Sequence, residues 1–442
     1  MADIIPFAGI RYDSTKVELS ETIAPPYDVL SPAQQETYYA QHPNNFVRIM
    51  LNRAEPDDSE SENIYTRAAG FLEEWLKSGV LKQDAAPALY EYVQRFEHPL
   101  SPGKIMERQT LFVALKVEPY ENGVVLPHEE THPKAKADRL NLMRATEANP
   151  EPIYGLYEDP TLAIGKSLNR CRTDAPLLKA TFSGNSGGTE EHVLYRHADP
   201  CLIADVQEYL AIRRVWIADG HHRYETALNY QRERRAQEAA NSDPLALRPY
   251  DYLLIGLSAF EDPGLLVLPT HRLVKNVSPD RLDSLALQLE RFFKLEEMPI
   301  SNLREWIKKE VPGEKRFALV SKALCCSLTL RDIALVDVQI DEAHCAAWRR
   351  LDVTILQTFA LDRTLGIAWQ ELAHTSDVAY TRDEEEALRK VESGEYQLAF
   401  LLQNPTVTEV RDVASAGDKM PQKSTFFFPK LWSGLVMRSL KA

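Results

Sequence analysis

Ile217-Ala-Asp-Gly-His-His-Arg-Tyr-Glu-Thr-Ala-Leu228 is the stretch on which the reading of this chain turns. It places an apolar strand, a tight polar turn and a helix start in direct succession. Gly220 lets the backbone turn without a Cβ clash. Asp219 can cap the helix by accepting free N–H groups. His221, His222 and Arg223 then occupy the first helical turn, where the helix dipole and unpaired N–H groups favour an anion. An arginine there can grip phosphate with two parallel hydrogen bonds. The chemistry predicted is phosphate binding beside a carboxylate. Neither a complete Walker loop nor G-x-G-x-x-G occurs, and Gly165-Lys-Ser167 matches only the tail of the former.

Outward from the turn, Ile212–Ala218 reads as a buried strand and Arg223–Ala240 as a long helix. Upstream, the apolar stripe within Ser61–Lys77 predicts a helix that stops at Gly79. Ala88–Phe96 and Thr110–Val117 read as strands. Leu178–Phe182 and His192–His197 form a second hairpin around Ser183–Gly188. Downstream, Tyr252–Ala259 and Leu265–Leu268 are strand-like. Beyond about residue 275, helical patterns at Asp280–Phe293 and Asn302–Glu310 precede strands at Arg316–Ser321 and Cys326–Leu330. A βαβα rhythm then runs from Val378 through Glu384–Val391, Tyr396–Gln403 and Val407–Ala416. The alternation predicts an α/β fold with a mixed sheet, divided into residues 1–275 and 276–442.

The composition suits a folded chain with a large core: 442 residues, 44% hydrophobic and 26% charged. The net charge of −14 disfavours a nucleic-acid partner. The five scattered cysteines give neither a disulfide framework nor a zinc-thiolate pattern. No apolar run approaches membrane-spanning length, and no signal peptide is legible. A soluble, cytoplasmic protein without a membrane partner is expected. The oligomeric state is left open.

His128-Glu-Glu-Thr-His132 fits H-E-x-x-H. A zincin needs both histidines on one continuous helix. Pro127 and Pro133 bracket the segment and oppose that, and Pro133–Lys136 reads as a polar loop. The same residues offer carboxylates (Glu129, Glu130) beside cations (Lys134, Lys136, Arg139), a set suited to Mg²⁺ and phosphate.

These segments together resemble the bacterial and archaeal domain-of-unknown-function family 1015 over nearly the whole chain. The matching motifs are Ile5–Tyr12, Ala24-Pro-Pro-Tyr-Asp-Val29, Leu126–His132, Ala218–Tyr224, Leu268-Pro-Thr-His-Arg272 and Met420–Lys430. More distantly, the Asp-Gly-His-His-Arg turn is similar to the nucleotide-binding turn of the ParB/sulfiredoxin superfamily, especially its free-serine kinases. That resemblance implies a ParB/sulfiredoxin-like core in the N-terminal part, a smaller C-terminal α/β domain, and ATP or ADP as cofactor with Mg²⁺. It also implies phosphate transfer to the hydroxyl of a small-molecule substrate such as serine.

Under it, Asp219 is the general base or a metal-side carboxylate, with Glu129 the alternative base. Gly220, His221, His222, Arg223, Lys134, Lys136, Arg139 and Lys423 hold phosphate. Tyr27, Asp28, His128, His132, His271 and Arg272 are pocket candidates, and Asp219, Glu129 and Glu130 are metal candidates. Two other classes stay open: a nucleotide-binding regulator without catalysis, and a metal-dependent hydrolase using His128, Glu129 and His132.

Overall fold

A computed structural model describes residues 1–173, 175–183, 189–238, 243, 246–371 and 375–441. The chain divides into two compact units, Met1–Leu266 with Pro429–Ala442, and Val267–Phe428. It is a mixed α/β protein.

The first unit is built on a nine-stranded sheet. Its main path runs Val125–Leu126, Val215–Asp219, Ile153–Tyr157, Tyr252–Ala259, Ile105–Lys116, Leu89–Glu97, Thr189–His197 and Leu178–Ser183. Val215–Asp219 runs parallel to Val125–Leu126 and antiparallel to Ile153–Tyr157, which is itself parallel to Tyr252–Ala259. The central strands are apolar because both faces are covered; every residue of Tyr252–Ala259 is buried. A four-stranded sheet, Leu81–Gln83, Gly9–Tyr12, Met437–Ser439 and Ala148–Asn149, ties the two ends of the chain into this unit.

Local signals explain the helices. Asn63 accepts the N–H groups of Tyr65 and Thr66 to start Ile64–Ser78, and Gly79 ends it at φ 72°. Its Ala68, Leu72 and Trp75 share the buried face. The turn expected at Ser183–Gly188 has Gly184–Gly188 outside the described residues, although its flanking strands pair antiparallel. The helix expected over Arg223–Ala240 is His221–Glu238; residues 239–240 lie outside the description.

The second unit holds a six-stranded sheet, in the order Phe293–Glu297, Cys325–Leu330, Arg316–Ser321, Leu398–Leu402, His271–Val274 and Val378–Thr381. All its pairings are antiparallel. Val378–Thr381 and Leu398–Leu402, joined by the Glu384–Ser393 helix, flank His271–Val274 on either side. Leu303, Ile307, Ala387 and Val391 bring helical apolar faces onto this sheet's core. The single helix expected over Asp280–Phe293 is two short ones, Pro279–Asp283 and Leu285–Leu289, followed by a strand from Phe293. The alternation Phe293-Lys-Leu295 favours that strand, and Phe293 is buried.

No helix among the described residues is long and apolar enough to cross a membrane.

Candidate functional site

Strand Val215–Asp219 loses register against Ile153–Tyr157 between Ile217 and Asp219. Such an irregularity re-aims a side chain at the end of a strand. Here it stands directly before the turn, where Gly220 has φ +91°. A Cβ on Gly220 would lie 2.9 Å from Arg223 Nε and 3.0 Å from its Cζ. Glycine therefore serves twice, for the left-handed backbone and for the guanidinium folded over it.

The helix begins at His221. Asp219 makes no cap to its N–H groups among the described residues. Its Oδ2 instead accepts Arg223 Nη2 at 2.7 Å, and its Oδ1 accepts Lys430 Nζ. Arg223 also donates Nη1 to the Pro152 carbonyl. Two cations compete better for a half-enclosed carboxylate than backbone N–H groups do. Crowding would raise the pKa of Asp219, but Lys430 and Arg223 hold it below the usual carboxylate range.

The 128–132 loop wraps the helix start. His221 Nε2 accepts the backbone N–H of His128 at 3.2 Å, and His222 Nε2 accepts that of His132 at 2.9 Å. Glu225 receives Thr131 Oγ1 at 2.7 Å and Lys136 Nζ at 2.8 Å. His128 is buried and donates Nδ1–H to the Ile217 carbonyl at 2.7 Å. Burial, then the neighbouring His221, push its pKa down to about 4. The two loop histidines thus go to different partners. His132 sits at the cap of the Pro133–Thr146 helix, so Pro133–Lys136 is a helical turn and not the expected loop. Pro at the first helical position explains the start. No continuous helix carries His128 and His132, and zincin geometry is absent from the segment.

His128, Glu129 and His221 each present one ligand atom within 4.8 Å of the others. Proton accounting weighs against His221 as a ligand in this arrangement. Its Nε2 already accepts an N–H, so a neutral ring keeps its proton on Nδ1, the atom 3.3 Å from Glu129 Oε2. A cation there would have to displace that proton or the loop contact. Glu129 is half-exposed at the rim; crowding opposes its ionisation, but the His221 ring and the Lys430 charge lower its pKa. Asp219 does not fit a metal ligand, since both oxygens carry cations. Glu130 is exposed beside Glu129.

A third wall is the Pro26–Val29 turn. Asp28 presents open surface yet is crowded at its sides. That crowding first, and the charge of Asp219 second, push it up to about 6 against the pull of Lys430 and Arg223. Tyr27 lies under Arg139, whose Cζ is 4.0 Å from the ring centroid. The Tyr27 N–H points to Glu151 at 3.3 Å, and Glu151 accepts Arg139 at 3.1 Å. Arg139 and Arg223 line a cavity of about 400 Å³, counted out to its solvent mouth, with Glu151, Met143 and Leu253 among its other walls.

Of the sequence candidates, Tyr27, Asp28, His128, Glu129, His132, Lys136, Arg139 and Asp219 through Arg223 gather in the first unit. Lys134 lies on the exposed first turn of the Pro133–Thr146 helix. His271, Arg272 and Lys423 belong to the second unit. His271 and Arg272 are buried within its sheet: His271 Nδ1 accepts Leu402 N–H at 3.2 Å, and Arg272 donates to the Thr270 carbonyl. Burial lowers them to about 4 and about 10. Sequence reasoning missed Lys430, Glu151 and Ser433. Lys430 closes the quoted Met420–Lys430 motif, and its spacing after three phenylalanines and a proline was the available signal.

Fold and site together define a mixed α/β protein whose charged strand–turn–helix junction is wrapped by a histidine loop and a C-terminal tail. Residues 4–354 match the family described as protein of unknown function (DUF1015), and the chain belongs to that family. No curated protein matches it. Similar solved structures include a conserved hypothetical protein from Pyrococcus furiosus, at 14% identity and TM-score 0.34, covering 73% of this chain and 92% of that one. A free serine kinase in complex with AMP matches at 13% identity and TM-score 0.32, covering 72% and 86%. SbnI with a C-terminal truncation, from Staphylococcus aureus, matches at 10% identity and TM-score 0.34, covering 73% and 85%.

Proposed function

We propose that the chain is a nucleotide-dependent small-molecule kinase, transferring a phosphoryl group from ATP or ADP to a hydroxyl acceptor such as that of free serine. One observation carries the reading. Two cations, Arg223 and Lys430, meet on Asp219 directly before the N-terminus of the His221–Glu238 helix. Phosphoryl transfer asks for positioning and charge neutralisation more than for covalent chemistry, and this set supplies both. The acceptor class comes from the likeness of the turn's sequence to that of free-serine kinases.

Asp28 takes the hydroxyl proton. A base works best with a pKa near the operating pH, and Asp219 is locked between two cations at a lowered one. Gly220 and the first turn of the His221–Glu238 helix receive phosphate oxygens through backbone N–H groups. His221 and His222 act mainly by holding the 128–132 loop, and with it Glu129, over the turn. Glu129 is the carboxylate that would hold Mg²⁺ with phosphate oxygens, and the ion would supply further charge neutralisation.

The test is incubation with ATP or ADP and a panel of hydroxyl amino acids, followed by phosphorus NMR. A phosphorylated amino acid is expected. Nucleotide binding without transfer to any hydroxyl acceptor would leave the regulator reading, and no nucleotide binding would remove both.

A further inference from the structure

The C-terminal tail does more than finish the fold. We propose that Lys430, which it delivers to the turn, is the cation that contacts the phosphoryl group being transferred; this rests on the kinase reading above. Lys430 lies outside residues 4–354, the part matched by the family.

Buried groups fix the main chain on both sides of Lys430. Arg108 is fully buried and donates to the Pro429 carbonyl and to Gln94. Gln94 in turn donates to the Lys430 carbonyl at 3.0 Å. Three residues on, Ser433 exchanges backbone hydrogen bonds with Ala24, at 2.8 and 3.2 Å, and its hydroxyl meets Glu151 at 3.2 Å. A buried guanidinium is costly to desolvate, and here it is spent on fixing the main chain next to one lysine.

The two cations on Asp219 differ in their freedom to move. Arg223 is pinned at Asp219 and at Pro152 while folded over Gly220, so its guanidinium has little freedom to follow a substrate. Lys430 is a point charge on a flexible stem. Its charge is felt by Asp28, Glu129 and Asp219 alike, which places it amid the carboxylates of the site. Asp219 holds the ammonium ready, and an incoming phosphate offers it a more highly charged partner.

In the step itself, the acceptor oxygen bonds to phosphorus as the phosphorus–oxygen bond to the departing nucleotide breaks. The electron pair of the broken bond stays on the nucleotide's phosphate oxygen. The hydroxyl proton passes to the Asp28 carboxylate. Lys430 keeps its proton throughout and neutralises the oxygens of the transferred group.

The experiment is calorimetric titration of AMP, ADP and ATP into the full chain, comparing wild type with Lys430→Met and Lys430→Arg. Lys430→Met should bind ATP at least about tenfold more weakly, the scale of one charge-assisted hydrogen bond, while AMP affinity stays within about twofold. Lys430→Arg should recover most of the preference for ATP. Undiminished ATP affinity in Lys430→Met overturns the proposal. So does an equal loss for AMP and ATP, which marks a purely structural residue. Should Lys430→Met fail to fold, Lys430→Gln carries the same comparison. Wild type that prefers ATP over AMP but transfers no phosphate overturns the kinase reading and leaves Lys430 only as a contact of the terminal phosphate; wild type that binds no nucleotide overturns both.

Discussion

The backbone N–H of His132 ends on His222 Nε2 at 2.9 Å, and four residues earlier the N–H of His128 ends on His221 Nε2 at 3.2 Å. Two adjacent histidines of one segment thus receive two main-chain donors of another. This pairing makes the histidines clamps, and it explains why a loop rich in charge can stay ordered over the turn.

Replacing His222 by alanine should therefore loosen the 128–132 loop more than the molecule. One neutral hydrogen bond is worth about 1 kcal/mol, so urea stability should fall by roughly that amount. Amide exchange of Glu129–His132 should accelerate well beyond the change seen in the central sheet. Equal acceleration throughout the first unit would contradict a local clamp.

Gly220→Ala should be the more damaging change. The alanine meets both a φ of +91° and a guanidinium 2.9 Å from its Cβ. Strain of this kind costs on the order of 1–3 kcal/mol, and relief requires Arg223 to leave Asp219. Chemical denaturation should show the loss, and nucleotide affinity should drop with it. A variant as stable as wild type would mean that the turn relaxes freely.

The turn was legible because its residues are local to one another. Strand, glycine and helix start follow from neighbouring side chains, as do the Ile64–Ser78 helix with its Asn63 and Gly79 ends and the all-apolar strand Tyr252–Ala259. Lys430 was not legible, since 211 residues separate it from Asp219 and only the folded tail joins them. His221 and His222 were read as anion ligands because their residue type suits that role. Their acceptor duty toward the 128–132 loop depends on a contact some 90 positions away in sequence. His271 and Arg272 show the opposite failure: polar residues in a motif were taken to face a pocket, whereas both are interior to the second unit's sheet.

His128 sets a sign for the pH dependence. Its folded pKa of about 4 lies below the ordinary 6.5, owing to burial and then to His221. The fold thus favours the neutral ring. The stability this confers is complete above about pH 6.5 and is lost as pH falls toward about 4, with a limiting slope of about 1.4 kcal/mol per pH unit. Asp28 and Glu190, raised to about 6 and about 7, contribute in the opposite sense over part of that window. A single denaturation curve mixes these effects, so the informative quantity is the difference between wild type and His128→Asn. That difference should shrink between pH 7 and pH 5. A constant gap would show that His128 is not held neutral.

Asp28 makes the sharpest prediction for the reaction. A base must be ionised to take a proton, so turnover should rise with pH through about 6 and level off above it. The raised value comes from crowding and from Asp219, opposed by Lys430 and Arg223. Asp219→Asn should therefore move the acid limb to lower pH by removing the repelling charge. Asp28→Asn should abolish the limb and lower kcat by about 10²–10⁴, the usual worth of a positioned base, while nucleotide affinity changes little. A limb that persists in Asp28→Asn would remove Asp28 from the role of base.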